Sequence, residues 1–257
     1  MTSLPQHQLS PQRRQQLLAF LDSLGLDARA ADGPGPEGLG PIDEALSHSS
    51  AGLAFNHERL EFLGDAVLRL AASEFLRREQ PQLPVGRHAA LRAQLVSDRW
   101  LAELGDRCGL AQVWRLGAMA TGDAAGRATV LAETAEALIG ALYLAWGGPD
   151  GGLAPVHRWL TPHWRTSLAL YLADPDRDNW KSALQEWSQG LGLGLPSYDC
   201  REISQVHADP RRFHCRVSSG GRSGEGWGRS RRDAEQQAAR TLLATIRAGN
   251  GSPPRTS

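Results

Sequence analysis

The chain has 257 residues, 41% of them hydrophobic, with 28 basic and 28 acidic side chains. That length suits one good-sized core plus a small second domain. It shows no run of eighteen apolar residues and no secretory pattern in MTSLPQHQLSPQRRQQ, so a soluble cytoplasmic protein with no membrane contact is expected. Cys108, Cys200 and Cys215 are odd in number and widely spaced, which speaks against a disulfide framework or a zinc site. The zero net charge hides an asymmetry: residues 179–257 carry +5 and residues 1–178 carry −5. A basic C-terminal module attracts phosphates, while an acidic body offers carboxylates to cations.

Residues 1–11 are rich in Gln and Pro and are expected to be disordered, whereas residues 12–26 place Leu17, Leu21 and Leu24 at helical spacing. A Gly/Pro loop covers residues 31–41. From Ile42 to about Tyr171 the pattern is almost wholly helical, so the first domain, residues 12–173, is expected to be all-α.

Within it, HERLEFLGDAVLRL at residues 57–70 spaces Glu58, Glu61 and Asp65 as i, i+3 and i+7, on one helix face. Leu60, Leu63, Val67 and Leu70 fall on roughly the opposite side. Like charges in a row repel, so local stability does not explain them, although a solvated acidic face is an alternative. The next informative helix, residues 130–146, is apolar nearly all round yet contains Glu133 and Glu136 and no Lys or Arg. Carboxylates on a buried helix must be paired, neutralised or bound to a metal. If the two helices meet, five acids converge, and a hard divalent cation such as Mg²⁺ is the natural compensation.

Residues 174–178 are a polar, Pro-containing linker. Residues 179–247 then read as helix, three short strands (198–203, 213–217, 224–228) and a helix from Arg231 to Arg247, an α-β-β-β-α order; the tail 248–257 is expected to be disordered. Ser230 with Asp233 fits a capping box at the last helix. Arg231 and Arg232 in its first turn oppose the helix dipole, a cost that phosphate binding explains. Trp180, Leu184, Trp187 and Leu191 form an apolar stripe on the first helix and leave Ser182, Gln185 and Glu186 outside. The tryptophans read as core residues more than as stacking platforms.

HERLEFLGDAVL closely resembles the motif of the ribonuclease III family. ALSHSS, LRAQLVSDRWLAELGDRCGL and LAETAEALIGALYLAWG are similar to the family's other blocks, in order. KSALQEWSQGLGLGLPSYDC and GEGWGRSRRDAEQQAARTLL resemble a double-stranded-RNA-binding domain. The resemblance implies an endonuclease that hydrolyses double-stranded RNA, leaves short 3′ overhangs and processes precursor ribosomal RNA and structured transcripts. It implies that Glu61, Asp65, Glu133 and Glu136 hold Mg²⁺, with Mn²⁺ as a substitute. It implies catalytic roles for Asp65 and Glu136 above all, with Glu58 in the same cluster assisting substrate or metal from nearby. Phe62 matches an aromatic inserted into the partner of a homodimer. Ser182, Gln185 and Glu186 would face the minor groove, where 2′-hydroxyls distinguish RNA, and His207 would reach the next minor groove.

Three departures qualify the transfer. Glu133 stands where the family more often has Asp, His57 where Asn is more usual, and the loop 116–127 lacks the usual acidic and basic pair. His48 and His57 are not required by metal-based hydrolysis. The rival readings are a non-catalytic RNA-binding or ribosome-associated protein on the same fold, which five retained acids argue against, and a small-molecule hydrolase, which the basic module argues against.

Overall fold

The computed structural model describes residues 9–30, 33–34, 38–117, 124–174, 179–206 and 209–250. Residues 1–8 and 251–257 of the expected disordered ends lie outside them, as do 175–178 of the linker and parts of both expected loops. The chain divides into two compact units, residues 1–169 and 170–257.

In the first unit the described elements are all helical: α1 (Pro11–Ser23), α2 (Leu39–Ala45), α3 (Glu58–Glu79), α4 (Val85–Leu95), α5 (Asp98–Arg107), α6 (Ala124–Ala145) and α7 (Leu153–Ala173), with short 3₁₀ turns between some of them. Pro11 opens α1, and Ser10 accepts the Arg13 N–H at 3.2 Å. α2 begins inside the segment expected to be loop. Helix α3 carries Glu58 and Glu61 in its first turn and Arg77 and Arg78 in its last, each matching the dipole end it sits on. Its buried stripe runs through Leu60, Gly64, Val67, Leu68, Ala71, Ala72 and Phe75. Leu70, expected on that stripe, is instead exposed, because helical phase rotates it away from the Leu60–Val67 line.

Helix α6 is the centre of this unit and packs against α2, α3 and α5. Residues Gly126–Ala145 are long and apolar enough to cross a membrane, yet most of that span is buried inside the protein. The crossing of α3 and α6 is set by two glycines. A Cβ at Gly64 would lie 1.8 Å from the Glu136 carbonyl oxygen, and one at Gly140 would lie 2.2 Å from that of Leu60. The two backbones therefore touch where any side chain would separate them. Elsewhere, buried Asp43 takes Arg13 Nε at 2.6 Å and lies 3.1 Å from the Arg115 guanidinium, while Arg13 also donates to the Val113 carbonyl at 2.7 Å. This cluster ties α1 and α2 to the segment after α5 with paired charges, as burial demands.

The second unit has the expected order: α8 (Trp180–Gly190), β1 (Ser197–Glu202), β2 (Phe213–Ser219), β3 (Arg222–Gly228) and α9 (Arg231–Asn250). The sheet is antiparallel in the order β1-β2-β3. Its core joins Trp180 and Leu184 of α8 to Cys215 and Val217 of β2 and to Ala234, Ala238, Leu242 and Ile246 of α9. Gly224, Gly226 and Gly228 alternate along β3 on the buried side. A Cβ at Gly226 would stand 2.2 Å from the Ala238 nitrogen, so bare backbone is what lets α9 lie on the strand.

Two further expectations need correction. Cys200 and Cys215 do not stay apart: the β1–β2 register sets them directly opposite, and their sulfurs are bonded at 1.97 Å. Fifteen residues of separation conceal a pairing that only strand register creates. Leu191 leaves the apolar stripe, because α8 ends at Gly190 and the chain turns it outward to 61% exposure.

Candidate active site and nucleic-acid interface

Helix α3 presents Glu58, Glu61 and Asp65 along one edge, and the glycine crossing brings that edge against the turn of α6 holding Glu133 and Glu136. Glu61, Glu133 and Glu136 line one cavity of about 290 Å³, together with Asp98, Arg99 and Thr129 and three alanines. Burial first, then the charges of Asp65, Glu61 and Asp98, pushes Glu136 up to about 7. Burial raises Glu61 as well, with Glu133 and Glu58 adding to the shift. Asp65 is thus electrostatically part of the cluster, but its carboxylate is held by Arg69, whose Nε lies 2.9 Å from both oxygens. Glu58 is exposed at the rim of the cluster.

Repelling, partly desolvated carboxylates are the donor set that a hard divalent cation stabilises, so the residues fit an oxygen-ligated metal. Both acids of α6 are half-buried rather than enclosed, which leaves the cavity open to a substrate.

Several side chains at this site escape a reading based on periodicity. Asp98 opens α5, capped by Ser97, and reaches the cavity from a third helix. His48 and His57 stack with ring centroids 4.8 Å apart. Their Nε2 atoms stand 3.8 and 3.7 Å from the same oxygen of Glu133, and His57 is also 3.6 Å from Glu61. Burial, followed by the neighbouring His57, lowers the pKa of His48. The ALSHSS and HERLEF motifs contain both histidines, but nothing in their spacing shows that they meet. Phe62 projects from the same helix as the acids and is 85% exposed, so it is not part of the protomer's core.

In the second unit, Ser230 accepts the Asp233 N–H at 3.1 Å and starts α9, leaving Arg231 and Arg232 exposed in its first turn. Arg231 donates to Glu235 at 3.3 Å, and Glu235 is shared with Lys181 of α8. Gln185 and Glu186 are exposed on α8, and Ser182 is half-buried. His207 lies outside the described residues. Trp180 and Trp187 pack as core, whereas Trp227 stands on the outer sheet face with the Arg211 guanidinium 4.8 Å above its ring.

Residues 42–152 match the family described as Ribonuclease-III-like, and residues 180–246 match the double-stranded RNA binding motif. Ribonuclease 3 of Prochlorococcus marinus is 50% identical over 206 residues, covering 80% of this chain and 81% of that protein. Ribonuclease 3 2 of a Nostoc species is 40% identical over 237 residues, covering 92% and 94%. The crystal structure of the nuclease domain of a ribonuclease III from Campylobacter jejuni is similar to 56% of this chain and 92% of its own, at 26% identity and a TM-score of 0.47.

Proposed function

The chain belongs to the ribonuclease III family, and from that premise we propose that it is an endoribonuclease that hydrolyses double-stranded RNA with Mg²⁺. The observation that carries the reading is the convergence of Glu61, Glu133 and Glu136 on one open cavity, in a chain that also contains a double-stranded RNA binding motif. Glu61, Asp65, Glu133 and Glu136 are the side chains that would hold the cation, with Glu58 assisting at the rim. Bound there, Mg²⁺ supplies the Lewis acidity that makes a water nucleophilic and stabilises the departing 3′-oxygen. Arg69 holds Asp65 at 2.9 Å, so a cation bound by Asp65 would compete with that ion pair for the carboxylate.

The second unit binds phosphates through Arg231 and Arg232 beside the free N–H groups of α9, and Gln185 and Glu186 of α8 meet the ribose hydroxyls. His207 belongs to this proposed surface. The exposed Phe62 supports a symmetric homodimer, in which two sites each cut one strand and leave short 3′ overhangs. Cytoplasmic precursor ribosomal RNA and structured transcripts are the proposed substrates. Incubating the protein with a long RNA duplex, with and without Mg²⁺, tests the reading: defined fragments with 3′ overhangs are expected only with the metal. Duplex binding without cleavage across Mg²⁺ and Mn²⁺ concentrations would instead establish the non-catalytic rival.

A further inference from the structure

We propose that His48, His57 and Glu133 form a second cation site, selective for a borderline transition metal such as Zn²⁺ or Co²⁺, beside the carboxylate site. One ligand atom from each of the three lies within 4.8 Å of the other two. The Nε2 atoms approach Glu133 Oε2 at 3.8 and 3.7 Å. Those separations are too long for hydrogen bonds. They are close to the spacing of ligands around one cation, because metal–nitrogen and metal–oxygen bonds of about 2.0–2.2 Å put neighbouring donors roughly 3.3–3.7 Å apart.

His57 supplies an independent reason. It is 2% exposed and its Nδ1 has no hydrogen-bond partner among the described residues, while its Nε2 faces two carboxylates from beyond hydrogen-bonding range. Ligation at Nε2 gives the side that faces the acids a partner and leaves the ring proton on Nδ1. His48 is already held for the task. Its Nδ1 lies 2.8 Å from Ser50 Oγ and accepts the Ser50 N–H at 3.1 Å. Ligation at Nε2 moves the ring proton to Nδ1, where Ser50 Oγ accepts it and fixes the ring, and the exposed Ser50 N–H returns to water. Two imidazoles and one carboxylate suit Zn²⁺ or Co²⁺, whereas Mg²⁺ favours the all-oxygen set next door.

Because Glu133 serves both sites, filling the nitrogen site draws it away from Mg²⁺ and inhibits cleavage. This coupling rests on the proposed function; the cation site itself does not. The test is titration of chelator-treated full-length protein with Co²⁺ in saturating Mg²⁺, read by the visible absorption of nitrogen-ligated Co²⁺, with Zn²⁺ calorimetry in parallel. One equivalent per chain is expected. His57→Ala and His48→Asn should each weaken it about 10- to 100-fold. His48→Asn keeps an acceptor for the Ser50 N–H, so it decides the matter if His57→Ala misfolds. Asp65→Asn should abolish Mg²⁺-dependent cleavage and leave Co²⁺ binding intact. Equal Co²⁺ affinity in His48→Asn, or loss of Co²⁺ binding in Asp65→Asn, overturns the proposal. Cleavage by the unmodified protein in Mg²⁺ alone judges the nuclease reading separately.

Discussion

Replacing Gly64 by alanine should damage both stability and catalysis through a single atom. The added Cβ would sit 1.8 Å from the Glu136 carbonyl oxygen, 2.6 Å from its carbon and 3.1 Å from the Gly140 nitrogen. An unstrained carbon–oxygen contact needs about 3.3 Å, so α3 and α6 must part by roughly 1.5 Å at this turn. The obstacle is backbone on a central helix and cannot rotate away. Overpacking of this kind costs on the order of 3 kcal/mol. The same displacement carries Glu136 away from Glu61 and Asp65, and a shift of about 1 Å at a reacting centre can slow a reaction some hundredfold. Gly86 of α4 is the control, because a Cβ there meets nothing within 4 Å. Chemical unfolding monitored by circular dichroism, with duplex cleavage measured on the folded fraction, separates the two effects. If Gly64→Ala matched both the unmodified protein and Gly86→Ala in stability and rate, the glycine crossing would not be what assembles the acids.

Asp43→Ala should cost about 3–5 kcal/mol in denaturant unfolding, because Arg13 is left buried beside a vacated partner. In chelator, Glu136 rises from its ordinary 4.5 to about 7 on folding, so its charged form opposes folding. That opposition is absent below about 4.5, grows as pH climbs through the window to 7, and then stays constant. Thermal melts should therefore show Glu136→Gln gaining on the unmodified protein as pH rises from about 5 to about 8, through most of that window and past its upper end; parallel curves would refute the shift. Arg231→Ala and Arg232→Ala should each weaken duplex binding and lower the log–log salt slope by about 1, and an unchanged slope would remove them from the phosphate contacts. Phe62→Asp should convert a dimer to monomers in sedimentation without lowering helix content, since the side chain is exposed within the protomer; a persistent dimer would count against its proposed role.

What the sequence determined by itself is what chain-local chemistry specifies. The i, i+3, i+7 spacing of Glu58, Glu61 and Asp65 puts them on one edge of α3 wherever that helix packs. Glu133 and Glu136 on an apolar helix already imply a compensating partner. Ser230 starts α9 because its hydroxyl can reach an amide three residues on, and the change from helical to alternating periodicity marks the second unit. Periodicity names a face, however, and not what the face meets. Only the tertiary structure decided that Gly64 and Gly140 let two backbones touch and so draw the acids of α3 and α6 to one cavity. Only it brought Asp98 to that cavity from α5, stacked His48 on His57 above Glu133, and set Cys200 opposite Cys215. Each of these depends on the distance between elements, which crossing geometry and strand register determine and which no spacing within a single element encodes.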